Sequence, residues 1–293
     1  MKRVLNIGSL NIDRCYDVAD FVHAKETVSA LGYATNTGGK GLNQSVALAR
    51  AGAQVSHAGA VGEDGEMLLQ VLRDSGVDTG YILRVPGPSG HAIIQIDPRG
   101  QNCILIYAGA NAALDEAYVD RVLSDFAPGD ILLLQNETTS VAYAMEQGKK
   151  RGMYVVLNPS PIDAALLEYP IGLADLLILN EVEGAALSGE AEFEAILRRL
   201  GEKYPDTAVV LTLGEQGCLY RSGDTVLRQA AFRVQAVDTT AAGDTFTGYF
   251  LAGVARGDDP ADCLRTASRA SSIAVTRKGA APSIPLRSEL AEA

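Results

Sequence analysis

Toward the C-terminal end, Val237-Asp238-Thr239-Thr240-Ala241-Ala242-Gly243-Asp244-Thr245 places small residues directly before a segment of helical periodicity. Side chains as short as those of Ala241, Ala242 and Gly243 leave backbone N–H groups free to converge on a ligand, and the start of a helix adds partial positive charge. Together they make an anion hole suited to a phosphoryl group that gathers negative charge during transfer. Asp244 falls in the first turn of the same helix, where its carboxylate could take the proton of an attacking hydroxyl. Spacing alone leaves a second reading open, since a carboxylate there also serves as an ordinary helix cap.

Three further segments have the residue types for ligand contact. Asn36-Thr37-Gly38-Gly39-Lys40-Gly41-Leu42-Asn43-Gln44 opens another helix, and its glycines permit close backbone approach to a ligand rich in hydroxyls. Asn43 can both donate and accept, as a sugar diol requires. The segment matches neither the P-loop pattern nor a dinucleotide fingerprint. Asn180-Glu181-Val182-Glu183 follows an apolar run, so polar side chains emerge at a strand's C-terminal end, where open α/β sheets bind ligands. Carboxylates there suit Mg²⁺ through water, although an acid-rich helix N-terminus fits the composition equally well. Thr212-Leu213-Gly214-Glu215-Gln216-Gly217 supplies a tight turn after another apolar run, facing a nucleotide or serving as a plain connection.

The elements that must position these groups are legible as periodicity. Apolar runs at 4–7, 55–60, 131–134, 154–157, 176–179 and 209–213 predict buried parallel strands. Helical patterns at 42–51, 67–75, 116–125, 141–151, 193–203, 245–255 and 261–275 alternate with them. This alternation predicts a three-layer α/β/α domain around a mostly parallel sheet. Two stretches break the rhythm: residues 12–35 are extended and polar, and 91–107 reads as a hairpin. They predict a small β-sheet lid, inserted at about 12–36 and 88–107 in a single domain of residues 1–293.

A net charge of −11 and a pI near 4.8 exclude a basic face for nucleic acid. Cys15, Cys103, Cys218 and Cys263 are widely spaced and predict reduced thiols rather than a disulfide framework or a zinc site. His23, His57 and His91 lack the paired spacing of metal ligands and are expected to be structural. The opening residues predict a strand rather than a signal peptide, and no run is long enough to cross a bilayer, so a cytoplasmic protein is expected.

Taken in order, these segments resemble the ribokinase family of carbohydrate kinases, also called the PfkB family. GGKG with Asn43 resembles its N-terminal signature and DTTAAGDTFTG its C-terminal one; Gly8-Ser9-Leu10-Asn11-Ile12-Asp13 resembles its first sugar-binding strand end. The resemblance implies a ribokinase-like fold and ATP-dependent phosphorylation of the primary 5-hydroxyl of ribose. Fructose, deoxyribose or a nucleoside are the alternative acceptors, and a non-catalytic sugar sensor is the alternative outside enzymes. By the same resemblance Asn11, Asp13, Gly39, Lys40, Gly41, Asn43 and Glu137 hold the sugar. Asn180, Thr212, Leu213, Gly214, Gly217 and Ser268 line the ATP site; Ala242 and Gly243 form the anion hole; and Asp244 is the base. Glu183 orders Mg²⁺ through water, and Asp238, Thr240, Ala274, Arg277, Gly279 and Ser283 supply oxygens to K⁺. At Ile12, Leu42 and Ser268 the sequence departs from the family pattern, which bears on the identity of the sugar. A homodimer formed through the exposed lid sheet is expected, because an open apolar sheet seldom stays uncovered.

Overall fold

The apolar runs become strands whose residues are buried on both faces, as in a sheet covered by helices on either side. The computed structural model describes residues 1–291. The chain passes through β1 (Val4–Ile7), β2 (Asn11–Asp17), β3 (Gly32–Gly38), α1 (Lys40–Arg50), β4 (Val55–Val61), α2 (Glu66–Asp74), β5 (Asp78–Arg84), β6 (Gly90–Ile96) and β7 (Asn102–Tyr107). It continues through α3 (Glu116–Leu123), β8 (Ile131–Gln135), α4 (Val141–Lys150), β9 (Tyr154–Asn158), β10 (Leu176–Asn180), α5 (Glu181–Ser188), α6 (Phe193–Lys203), β11 (Ala208–Thr212), β12 (Cys218–Ser222), β13 (Thr225–Gln229), α7 (Ala242–Arg256) and α8 (Pro260–Ala274).

The large sheet has nine strands in the order β13-β12-β11-β10-β9-β8-β1-β4-β5. Every pairing from β11 to β5 is parallel, and β12 and β13 add an antiparallel hairpin at one edge. Successive strand residues feed opposite cores. Leu133 joins the cluster with Leu42, Phe250 and Leu264 of α1, α7 and α8, while Leu132 and Leu134 join that with Val122, Met145 and Leu200 of α3, α4 and α6. Three of the nine strands were not among the predicted runs. β5 and the β12–β13 hairpin lie at the sheet edges with partly exposed, polar-interrupted sequences, so their apolar signal is diluted.

The chain leaves β1 outward to β4 and β5, then returns to β8 on β1's other side. The strand order therefore reverses between β1 and β8, and the carboxyl ends at such a reversal are the usual ligand position in open α/β sheets. A separate four-stranded sheet, in the order β3-β2-β6-β7, stands beside it. Its strand β2 starts after only residues 8–10 beyond β1, and β3 leads directly into α1. β7 is exposed along its whole length, and Leu31, Tyr33, Ile104, Leu105, Ile106 and Tyr107 present apolar surface to solvent.

Two helices begin earlier than periodicity predicts. α1 starts at Lys40, preceded by Gly39 at φ 94°, and α7 starts at Ala242, preceded by Ala241 at φ 59°. Glycine and alanine add no apolar period, so the first turns were invisible to it; Gly41, Ala242 and Gly243 lie inside helices rather than in loops. The two helices pack closely because Gly248 of α7 has no side chain where Ala47 of α1 lies; a Cβ there would stand 2.3 Å from that of Ala47. Among the described residues no helix is long and apolar enough to cross a membrane.

Candidate active site

Asp244 does not cap its helix. The cap position is Ala241, which makes no side-chain bond. The Asp244 carboxylate instead accepts from α1: Asn43 Nδ2 donates to Oδ2 at 3.0 Å and Gln44 Nε2 to Oδ1 at 2.9 Å. The N–H groups of Gly243 and Asp244 find no acceptor among the described residues, whereas Ala242 N–H donates to Thr239 O at 3.2 Å. The amides free to meet an anion are thus those of residues 243 and 244, and Ala242 is not one of them. Ala241, a non-glycine residue in the left-handed region, carries backbone strain of about 1 kcal/mol or more to turn the chain into this orientation.

The sugar-side candidates come from segments that follow β1, β3 and β8 and meet one another through hydrogen bonds and charge. Asn11 and Asp13 come from β2, Gly39, Lys40, Gly41 and Asn43 from the start of α1, and Glu137 from the turn after β8. A Cβ on Gly41 would lie 2.4 Å from the backbone N of Ser9, so only glycine allows this approach, and one on Gly38 would lie 2.0 Å from Asp13 Oδ2 and displace that carboxylate. Burial, aided by the charge of Glu137, pushes the Asp13 carboxyl up to about 6. Glu137 accepts from Lys40 N–H at 3.0 Å and from the Ser9 hydroxyl, with Lys40 Nζ 3.8 Å from its other oxygen. Burial disfavours the Lys40 ammonium, but Asp244, Glu137 and Glu183 outweigh it and hold its pKa above the ordinary value. Asn43 Oδ1 is buried without a partner among the described residues, an acceptor left for a ligand hydroxyl. Asn11 Oδ1 is occupied by Asn111 Nδ2 at 2.7 Å.

On the other side of Asp244 two cavities adjoin. One of about 660 Å³ is lined by Thr212, Gly214, Gly217, Phe232, Gly243 and Ser268, among others. A smaller one of about 170 Å³ is lined by Lys40, Asn158, Asn180, Glu183, Gly243 and Asp244, among others. Leu213 lines neither; its side chain is buried in a core cluster, where the alternation of β11 sends it. Asn180 and Glu183 form a capping box on α5, with Asn180 N–H and Nδ2 donating to the two carboxylate oxygens at 2.9 and 3.0 Å. The helix-terminus reading is therefore correct, and the same carboxylate also faces the cavity. Burial raises its pKa against the pull of the Asn180 N–H and of Lys40. With both oxygens so engaged it fits a metal ion through water rather than directly.

Asp238 accepts from Thr240 N–H and Gly279 N–H, each at 2.9 Å. Burial works against its charge, yet these bonds hold its pKa below the usual carboxylate range. Val237 N–H donates to Val275 O at 2.7 Å, Arg277 N–H to Ala274 O at 3.0 Å and Ser283 Oγ to Ala280 O at 2.8 Å. The six candidate cation ligands thus belong to adjoining segments leading into α7 and out of α8. The oxygens these residues could offer, backbone carbonyls and the Asp238 carboxylate among them, are of the kind a hard monovalent cation prefers.

With this geometry in place the comparisons are decisive: residues 1–287 match the pfkB family of carbohydrate kinases. The chain belongs to that family. It is therefore a phosphotransferase acting on a hydroxyl group. It is 36% identical over 303 aligned residues to the ribokinase of Haemophilus influenzae, covering 100% of this chain and 98% of the relative. It is 34% identical to the deoxyribokinase of Salmonella typhi, over 95% of this chain and 94% of that one. The solved Arabidopsis thaliana ribokinase, complexed with ribose and ATP, superposes with a TM-score of 0.88 at 31% identity, covering 99% and 98% of the two chains. The kinase thus has the ribokinase-like fold expected from its sequence.

Several polar groups of this site, Ser9 and Gln44 inside the quoted motifs among them, were assigned no role from the sequence. Ser9 and Asn111 contact proposed site residues, Asn158 lines the smaller cavity beside them, and Asn6, Gln44, Ser45, His57 and Gln135 are buried polar side chains behind the base. The trace they leave is a lone polar residue in an otherwise apolar strand, as in VLNI and ILLLQ.

Proposed function

We propose that this kinase transfers the γ-phosphoryl group of ATP to the 5-hydroxyl of D-ribose, giving ribose 5-phosphate and ADP. The observation that carries the reading is the placement of Asp244, bonded to Asn43 of the sugar side while lining the cavity that holds the free N–H of Gly243. A sugar held by Asn11, Asp13, Gly39, Lys40, Asn43 and Glu137 would aim its primary hydroxyl at that carboxylate. Asp244 takes the hydroxyl proton as the oxygen attacks the γ-phosphorus; the bond to the β–γ bridging oxygen breaks, and ADP leaves with that electron pair. The N–H groups of residues 243 and 244 and the Lys40 ammonium offset charge on the transferring group. Mg²⁺, ordered through water at Glu183, would neutralise phosphate charge when bound. K⁺ at Asp238, Thr240, Ala274, Arg277, Gly279 and Ser283 would stiffen the loop entering α7. The small sheet serves as a lid on a single kinase domain. Its exposed apolar strands support a homodimer formed through that sheet, and four free cysteines support a cytoplasmic setting.

The similarity to a deoxyribokinase favours 2-deoxyribose as the second reading. Coupled ADP-release assays with ribose, 2-deoxyribose, fructose and adenosine, each with K⁺ or with a large organic cation, separate the possibilities. The ribose reading expects the highest kcat/KM for ribose and lower turnover without K⁺; a clear preference for another acceptor overturns it.

A further inference from the structure

The buried polar side chains behind Asp244 form one chain whose direction is fixed from both ends. His57 Nε2 lies 3.2 Å from Gly8 O, a carbonyl that can only accept, so Nε2 carries the proton. Burial pushes the His57 pKa down to about 4, so the ring is neutral and its Nδ1 accepts from the Ser45 hydroxyl at 2.8 Å. Ser45 Oγ in turn accepts from Asn6 Nδ2 at 2.8 Å, which also donates to Gly41 O at 2.8 Å. Asn6 Oδ1 must then face Gln135 Nε2, at 2.9 Å, and the second Gln135 N–H reaches Gln44 Oε1 at 2.8 Å. Gln44 is left with its Nε2 toward Asp244 Oδ1 at 2.9 Å and toward Asn158 Oδ1 at 2.9 Å. The far end agrees independently. Asn158 Nδ2 donates to Ile178 O at 2.9 Å, which turns its own oxygen to Gln44.

We propose that Gln44 is a positioning residue for phosphoryl transfer, holding the Asp244 carboxylate in one orientation through an N–H whose direction is set by the Gln135–Asn6–Ser45–His57 chain. The inference rests on Asp244 being the base. Gln44 is fully buried and lines neither cavity, so it acts through Asp244 and not on substrate. Asn43 holds the other oxygen but has an unpartnered acceptor for the sugar, so its bond to Asp244 shares duty with substrate; that of Gln44 does not. The charged groups whose fields reach Asp244 are Lys40 of α1 and Glu183 of α5. A carboxylate put in place of the Gln44 amide would face Asp244 with neither a donor nor a cation between them.

The test compares Gln44→Glu, Gln44→Met and Asp244→Asn with the unaltered kinase, using kcat, both KM values and the pH dependence of kcat. Gln44→Glu keeps the shape and is expected to lower kcat by about tenfold to a hundredfold, the range for groups that orient a functional ligand. KM for sugar and ATP should stay within about threefold, and the acid limb of the profile should move up by about one pH unit or more, as a like charge beside a carboxylate requires. Gln44→Met removes the donor without adding charge, so its limb moves the same way by less; it also serves if the glutamate variant does not fold. A fall in kcat with the acid limb unmoved in both variants assigns Gln44 a merely structural role and overturns the proposal, as does unchanged kcat. Near-normal turnover of Asp244→Asn overturns the base assignment itself, whatever the Gln44 variants do.

Discussion

On the sugar side the candidate contacts are mostly side chains packed among other side chains: Asp13 against Gly38, Glu137 against Lys40 and Ser9, Asn43 against Asp244. On the nucleotide side they are mainly backbone amides and small residues around open space. The same residue type shows the contrast. Gly41 and Gly243 both stand in the first turn of a helix, but a Cβ on Gly41 would strike the backbone of residues 8 and 9, while one on Gly243 would meet nothing within 4 Å. Glycine is required at the first position by the protein's own backbone, whereas at the second the protein itself leaves room for a side chain. Rigid side chains suit discrimination among similar sugars; amides around a cavity suit an anion whose charge, more than its shape, must be met.

This contrast can be broken by experiment. The largest effect is expected where the two sides meet: Asp244→Asn should lower kcat by about 10²–10⁴-fold with little change in KM, measured by ADP release. On the sugar side Gly41→Ala should destabilise the fold by about 1–3 kcal/mol in denaturant titration, the cost of overpacking a site that cannot yield. Asp13 gives a gentler effect that depends on pH. Burial pushes its carboxyl up to about 6, and a sugar held by the ionised form should show KM rising about tenfold per pH unit below that value. Without sugar the sign for stability is the reverse: the folded-state pKa is raised, so this group's favourable contribution is complete below about 4 and is lost as pH rises through about 6. The smallest change belongs to Gly243→Ala. Its melting temperature should stay level or rise slightly, as alanine for glycine in a helix allows, while KM for ATP rises severalfold. A destabilised Gly243→Ala, or a stable Gly41→Ala, would erase the distinction.

Sequence patterns captured the two sides unequally. The six predicted strands are all present because runs such as ILLLQ and LLILN are buried on both faces and carry an unbroken apolar signal. Edge strands β5 and β13, and β12 beside the latter, were missed because partial exposure admits polar residues and erases it. The glycine motifs located both helix starts, since small residues there are required by close approach, but periodicity could not say that Gly41, Ala242 and Gly243 were already helical. Which amides of the anion hole are free was likewise hidden, because it depends on Thr239 O reaching Ala242. The chain behind the base joins residues of α1, β1, β4, β8 and β9 that no local spacing relates.

Only residues 8–10 separate β1, at the centre of the large sheet, from β2 of the small one. Asn11 and Asp13 belong to the small sheet, whereas Lys40, Asn43 and Glu137 lie with the large one. If the small sheet closes as proposed, a sugar gripped by both groups would fasten it to the large one, and an acceptor in place would itself keep water from ATP.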